Sequence, residues 1–190
     1  MKLLYEGQAY YGLDICGYKM QLPVVQVAPG LHIASFVMLG EVNCTNHAAK
    51  ELAKRLSHFS FDYIICPEAK VLPLAQALCS EMNIPQFVVM RKSVKGYMQN
   101  PVATDVKSIT TDKVQSLVID GKDADKIRGK RVLLIDDVVS TGGTFEAMEV
   151  LLNQLDVTVV GYAAVLKEGN DFNRPNTVTL QDLPLFVDQL

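Results

Sequence analysis

Thirteen consecutive residues, Val132-Leu133-Leu134-Ile135-Asp136-Asp137-Val138-Val139-Ser140-Thr141-Gly142-Gly143-Thr144, carry the clearest chemistry in this 190-residue sequence. The apolar run predicts a buried strand over Val132–Ile135 that ends in two adjacent carboxylates. A turn of small residues follows and opens into a helix expected over Thr144–Gln154. Amides in the first turn of a helix have no intrahelical acceptor, and glycine lets an anion approach closely, so the turn is a phosphate site. Thr141 and Thr144 add hydroxyl donors. Asp136 and Asp137 repel phosphate; they suit ribose hydroxyls or a share in holding Mg²⁺. They stand at the carboxyl end of a strand, where open α/β sheets bind ligands. The patterns G-x-x-x-x-G-K-[ST] and G-x-G-x-x-G are both absent, which argues against a P-loop enzyme and a dinucleotide-binding fold.

Two further segments could bind anions. Cys66-Pro67-Glu68-Ala69-Lys70 follows a predicted strand over Phe61–Cys66, and its loop amides and Lys70 are potential donors. Arg91 and Lys92 end a short strand over Phe87–Met90, with Lys95 three residues beyond Lys92. The stretch from Ser93 to about Lys113 is polar, contains Gly96 and Pro101 and has no clear period. A segment of that kind inside a domain is usually functional or disordered.

The 132–144 stretch resembles the phosphoribosyl-pyrophosphate (PRPP) motif of type I phosphoribosyltransferases, purine branch, and is most similar to the adenine type. The resemblance implies that Asp136 and Asp137 contact the ribose hydroxyls. Ser140, Thr141, Gly142, Gly143 and Thr144 would hold the 5′-phosphate. Glu68, Ala69 and Lys70 match the pyrophosphate loop, whose usual form is Glu–small–basic–Gly; Val71 stands where that Gly would be. Arg91, Lys92 and Lys95 match an Arg-Lys-x-x-Lys run on pyrophosphate, and residues 93–113 match the flexible loop that closes over the reacting centre. That loop usually carries Leu-Glu-Tyr-Gly, yet no Glu occurs between Ser93 and Gly121; Tyr97 and Ser108-Ile109-Thr110-Thr111 remain. The catalytic set implied is Asp136, Asp137, Lys70 and Arg91, with Phe36 and Val138 at the base. Relatives for 6-oxopurines carry Asp where Ser140 stands, and adenine-type relatives a small residue, so the implied reaction is adenine + PRPP → AMP + pyrophosphate, a pentosyl transfer of purine salvage. Xanthine or hypoxanthine–guanine is the alternative base, orotate less so, and a PRPP-sensing regulator is the alternative class. Mg²⁺, held mainly by PRPP, and a homodimer are expected from the family.

The elements that position these residues read as alternating strands and helices, the pattern of an α/β, doubly wound, mostly parallel sheet. A strand is expected over Ile33–Leu39 and a helix over Thr45–His58, capped by Thr45 or Asn46, with Ala48, Leu52 and Leu56 on one face. Another helix is expected over Leu72–Met82, and strands over Val114–Ile119 and Val157–Leu166. The last 24 residues, with Pro175 and Pro184, read as a loop-rich appendage. The resemblance implies a small hood built from the N-terminal and C-terminal segments, and residues 1–190 read as one domain.

Composition agrees with a folded domain. Hydrophobic residues make up 49% and charged residues 21%, with mean hydropathy +0.16, which excludes wholesale disorder. The net charge of −3 disfavours a broad nucleic-acid surface but leaves room for local cations. No apolar run approaches the ~20 residues of a membrane span, and no signal-peptide core develops, so the expectation is cytoplasmic. Cys16, Cys44, Cys66 and Cys79 form no metal or redox spacing and read as buried free thiols, and His32, His47 and His58 as surface or capping residues.

Overall fold

The computed structural model describes residues 1–107 and 114–189. Its central sheet is built from β5 (Tyr63–Pro67), β6 (Phe87–Met90), β9 (Arg131–Val139), β10 (Thr158–Glu168) and β11 (Thr177–Leu183). All four neighbouring pairs are parallel, in the order β6-β5-β9-β10-β11. Counted along the chain, the order reverses between β5 and β9. At such a reversal the connections leave the strand ends in opposite directions and open a crevice.

Helices cover both faces of the sheet. On one side α1 (Val42–Leu56) and α2 (Leu72–Glu81) bury Ala48, Leu52, Leu74 and Leu78 against Ile64, Leu133 and Ile135. On the other, α3 (Gly121–Ile127) and α4 (Gly143–Leu152) bury Ile127, Phe145, Met148 and Leu151 against Ile65, Val132 and Leu134. From Val132 to Ile135, odd and even residues of β9 therefore serve opposite cores, as the two-residue period of a strand requires, and beyond the acidic pair Val138 and Val139 take the reverse sides. A strand buried on both faces reads as a continuous apolar run, which is why Val132–Ile135 is so visible in the sequence.

A second sheet has the order β1-β12-β4-β3-β2, from β1 (Lys2–Leu4), β2 (Tyr10–Ile15), β3 (Tyr18–Ala28), β4 (Leu31–Ala34) and β12 (Leu185–Val187). It carries Ile33–Val37 over the carboxyl end of the central sheet. A two-stranded hairpin, β7 (Val102–Lys107) and β8 (Val114–Ile119), is antiparallel and joins β6 through an Arg91–Val118 bridge.

Several expectations are corrected. The polar 93–113 segment contains the strand β7, and its Ser108–Thr111 run lies outside the described residues. The C-terminal residues are not an appendage: β11 is an edge strand of the central sheet and β12 an interior strand of the second. The early strand stops at Ala34 rather than Leu39, and α1 begins at Val42 without a side-chain cap, so Thr45 is a buried helix residue. Cys16 is exposed, in a left-handed turn at φ 51°, while the other three thiols are buried. His32 is buried and stacked on Tyr5 with ring centroids 3.8 Å apart. Among the described residues no helix is long and apolar enough to cross a membrane.

Candidate active site

β9 runs through the acidic pair to Val139, four residues beyond the apolar run. Because adjacent strand residues face opposite ways, the two carboxylates separate. Asp136 shares the face of α4, and Asp137 the face of the second sheet. The Asp137 amide donates to Asp136 Oδ1 at 2.9 Å, and the Val138 amide to Asp137 Oδ1 at 3.0 Å. Burial first and the charge of Asp137 second push the Asp136 carboxyl up to about 8, against a hydrogen bond from Thr144 that favours the charged form.

Three clefts meet at this strand end. The first, about 230 Å³, is formed by Ser140–Thr144 with Asp136 and Val138. Gly142 stands at φ +89° immediately before α4, and no side chain caps that helix. Its first-turn amides therefore remain available to an anion. The second cleft, about 310 Å³, lies between Glu68, Ala69, Lys70 and Lys92 on one side and Asp136, Asp137 and Thr144 on the other. Leu117 of the hairpin closes part of it. The third, about 290 Å³, is roofed by Ile33–Val37 and lined by Lys70, Asp137, Val138, Ser140, Glu168 and Leu183. Val138 touches all three clefts, so they form one connected crevice at the sheet reversal.

The loop after β5 is organised by Glu68. Its carboxylate pairs with the Arg91 guanidinium and accepts the Lys92 amide at 2.7 Å. Burial alone would raise the Glu68 pKa, but the Lys92 amide, Arg91 and Lys95 together hold it below the usual carboxylate range. The Glu68–Ala69 peptide is cis. Val71, where the loop's usual glycine is missing, has φ −85° and a buried side chain. A right-handed backbone there accepts valine without strain.

The structure brings together Ser140–Thr144, Asp136, Asp137, Glu68, Ala69, Lys70 and Lys92, with Phe36 and Val138 in the third cleft. Arg91 and Lys95 stand apart from the cleft walls. Arg91 is engaged by Glu68 and donates to the Tyr97 hydroxyl at 3.0 Å, and Lys95 donates to Ser93 Oγ at 2.7 Å. Phe36 is buried among the apolar residues behind the cleft as well as lining it. Glu168 escaped the sequence reading. The strand expected to stop at Leu166 continues two residues and carries this carboxyl into the third cleft. The one available signal was a lone Glu just past a long apolar strand.

Among the described residues no three His, Cys, Asp or Glu side chains are grouped to hold a metal by themselves. Two adjacent carboxylates beside the cleft at the α4 N-terminus fit the manner in which Mg²⁺ is usually held, by one or two protein carboxylates together with substrate phosphates.

The fold is similar to that of adenine phosphoribosyltransferase from Thermoanaerobacter pseudethanolicus, with TM-score 0.64 and 22% identity over 92% of this chain and 95% of that one. The chain is 35% identical over 121 residues to a hypoxanthine/guanine phosphoribosyltransferase of Methanobacterium lacus, covering 64% of this chain and 60% of that protein. Another, from Methanothermobacter marburgensis, is 36% identical over 135 residues, covering 70% and 66% respectively. The chain thus spans less than two thirds of the length of these curated relatives. Residues 42–188 match the phosphoribosyl transferase domain, and the chain belongs to that family.

Proposed function

We propose that the protein is a purine phosphoribosyltransferase that converts a purine base and PRPP to a nucleoside 5′-monophosphate and pyrophosphate. The observation that supports this most is the junction of three clefts on Val138, with Asp136 and Asp137 each shared by two of them. In this reading the 5′-phosphate lies on the amides and hydroxyls of Ser140–Thr144. Asp136 and Asp137 accept hydrogen bonds from the ribose, and the pyrophosphate meets Lys70 and Lys92. The base lies under Phe36.

Transfer of this kind passes through a cationic sugar, so catalysis requires positioning, charge stabilisation of the leaving group and exclusion of water. No protein nucleophile is required. Lys70 lines both the second and third clefts and faces the departing pyrophosphate from the side of the base. Glu68 holds the Arg91–Lys92 strand end in place. Mg²⁺ bound by PRPP oxygens with Asp136 and Asp137 would offset the charge of the phosphates.

Adenine is the first base in this reading, because Ser140 places a small neutral side chain beside the third cleft. The curated relatives favour hypoxanthine or guanine as the second reading. Comparing kcat/KM for adenine, hypoxanthine, guanine and xanthine at saturating PRPP separates them. Adenine is expected to exceed each of the others by at least about tenfold. A preference for either 6-oxopurine would replace the first reading with the second.

A further inference from the structure

We propose that Glu168 is the proton acceptor for the purine, its carboxylate taking the imidazole N–H proton of the base as the new glycosidic bond forms. This rests on the reading of the chain as a purine phosphoribosyltransferase.

The chemistry calls for such a group. One imidazole nitrogen of the purine gives its lone pair to C1′ of the ribose, and the C1′–O bond breaks, its electron pair leaving with pyrophosphate. The base now carries a positive charge, which is removed when the N–H of the other imidazole nitrogen gives up its proton. Transfer to a carboxylate yields a carboxylic acid and a neutral nucleotide base, and no further reactant is required.

Glu168 is placed for that step. It is the last residue of β10, and its backbone is fixed by parallel pairing with Leu183 and by the Gly169 amide donating to the Leu183 carbonyl at 3.1 Å. Its side chain lines the third cleft and neither of the other two, whereas the cleft's remaining carboxylate, Asp137, is shared with the second. Ser140 lines the same cleft, so the turn after β9 and the base cleft meet beside this carboxyl. Burial pushes the Glu168 carboxyl above the ordinary carboxylate range, and the nearby Ser140 hydroxyl offsets this only in part. A carboxylate whose pKa is raised is the stronger proton acceptor. The charged groups facing the cleft with it are Lys70, from the loop after β5, and Asp137, from β9. Its chain neighbour is Lys167. The segment of the second sheet above it, Ile33–Val37, carries no titratable side chain.

The test compares wild type with Glu168→Gln and Glu168→Asp, measuring kcat against pH with the preferred purine and PRPP affinity by calorimetry. Glu168→Gln is expected to lower kcat by about 100-fold or more and to abolish the fall in rate at acid pH. PRPP affinity should stay within about twofold, and Glu168→Asp should recover part of the rate. Wild-type kcat with the acid limb intact in Glu168→Gln overturns the assignment. Loss of PRPP binding in that variant also overturns it, because the role would then be structural. A wild-type protein that turns over no purine removes the transferase reading and this role with it, before any variant is made.

Discussion

The ring of Phe172 occupies the space that a side chain on Gly142 would need. A Cβ built on Gly142 would sit 2.7 Å from Phe172 Cε2, and Gly142 is held at φ +89°. Phe172 is itself fixed by Phe145 and Tyr162, at centroid distances of 5.5 and 5.6 Å, and by the Arg174 guanidinium 5.8 Å from its ring. Arg174 in turn hydrogen-bonds Glu149 and Tyr162. A layer of aromatic packing thus backs the turn assigned to the 5′-phosphate.

Gly142→Ala is therefore expected to weaken PRPP binding by about tenfold or more. An L-residue in the left-handed region costs about 1–2 kcal/mol before the clash is counted. Phe172→Ala should cost about 3–5 kcal/mol of stability. Calorimetric PRPP titration and urea unfolding check the two values, and wild-type affinity in Gly142→Ala would separate the turn from phosphate binding.

Asp136 gives a pH dependence of known sign. In the unfolded chain its carboxyl ionises near 3.9, and in the folded protein near 8, so across that interval the folded state binds the extra proton. Stability from this group is complete below the lower value and is lost as pH rises toward the upper one. Asp136→Asn should stabilise the ligand-free protein by about 1–3 kcal/mol at pH 8 and leave it nearly unchanged at pH 4. Urea unfolding at both pH values is the check. An equal effect at both would show that Asp136 ionises normally.

Glu68 is expected to act through Arg91 and Lys92. Its carboxyl lies below the usual range, so its contribution to holding the loop is present above about pH 4.3 and fades as pH falls through its folded value. Glu68→Gln should raise the KM for PRPP by about tenfold with little change for the base. Lys92→Ala should do the same and make PRPP binding less sensitive to salt, because a cation facing the substrate is removed. Initial rates at several ionic strengths distinguish the two variants.

Phe36→Leu is expected to raise the KM for the base by about three- to tenfold, the value of a lost aromatic contact, while the KM for PRPP stays constant. Leucine keeps the buried position apolar while removing the ring. An unchanged base KM would make Phe36 a core residue only.

Legibility in the sequence followed the range of the interactions. The strand, acidic pair and phosphate turn lie in one contiguous stretch, and local pattern suffices to read them. The ends of β6 and β8 were equally plain, since both are bounded by polar residues or glycine. What escaped depends on distant partners. β11 is half-polar and β12 only three residues long, and both become strands because they pair with β10, β1 and β4. β7 is ordered by β8 across the hairpin. The pairing of Arg91 with Glu68, 23 positions earlier, depends on the meeting of β5 and β6, which no local pattern reveals. Glu168 became visible only when β10 was seen to outlast its apolar run.

The most direct measurement is pyrophosphate release from PRPP in the presence of Mg²⁺ and each purine in turn, with the nucleotide product identified. Pyrophosphate and nucleoside monophosphate are expected in equal amounts, with adenine fastest, and Asp137→Asn is expected to lower the rate by about 100-fold or more. Binding of PRPP without pyrophosphate release from any purine would contradict this and mark the protein as a binder of PRPP rather than a transferase.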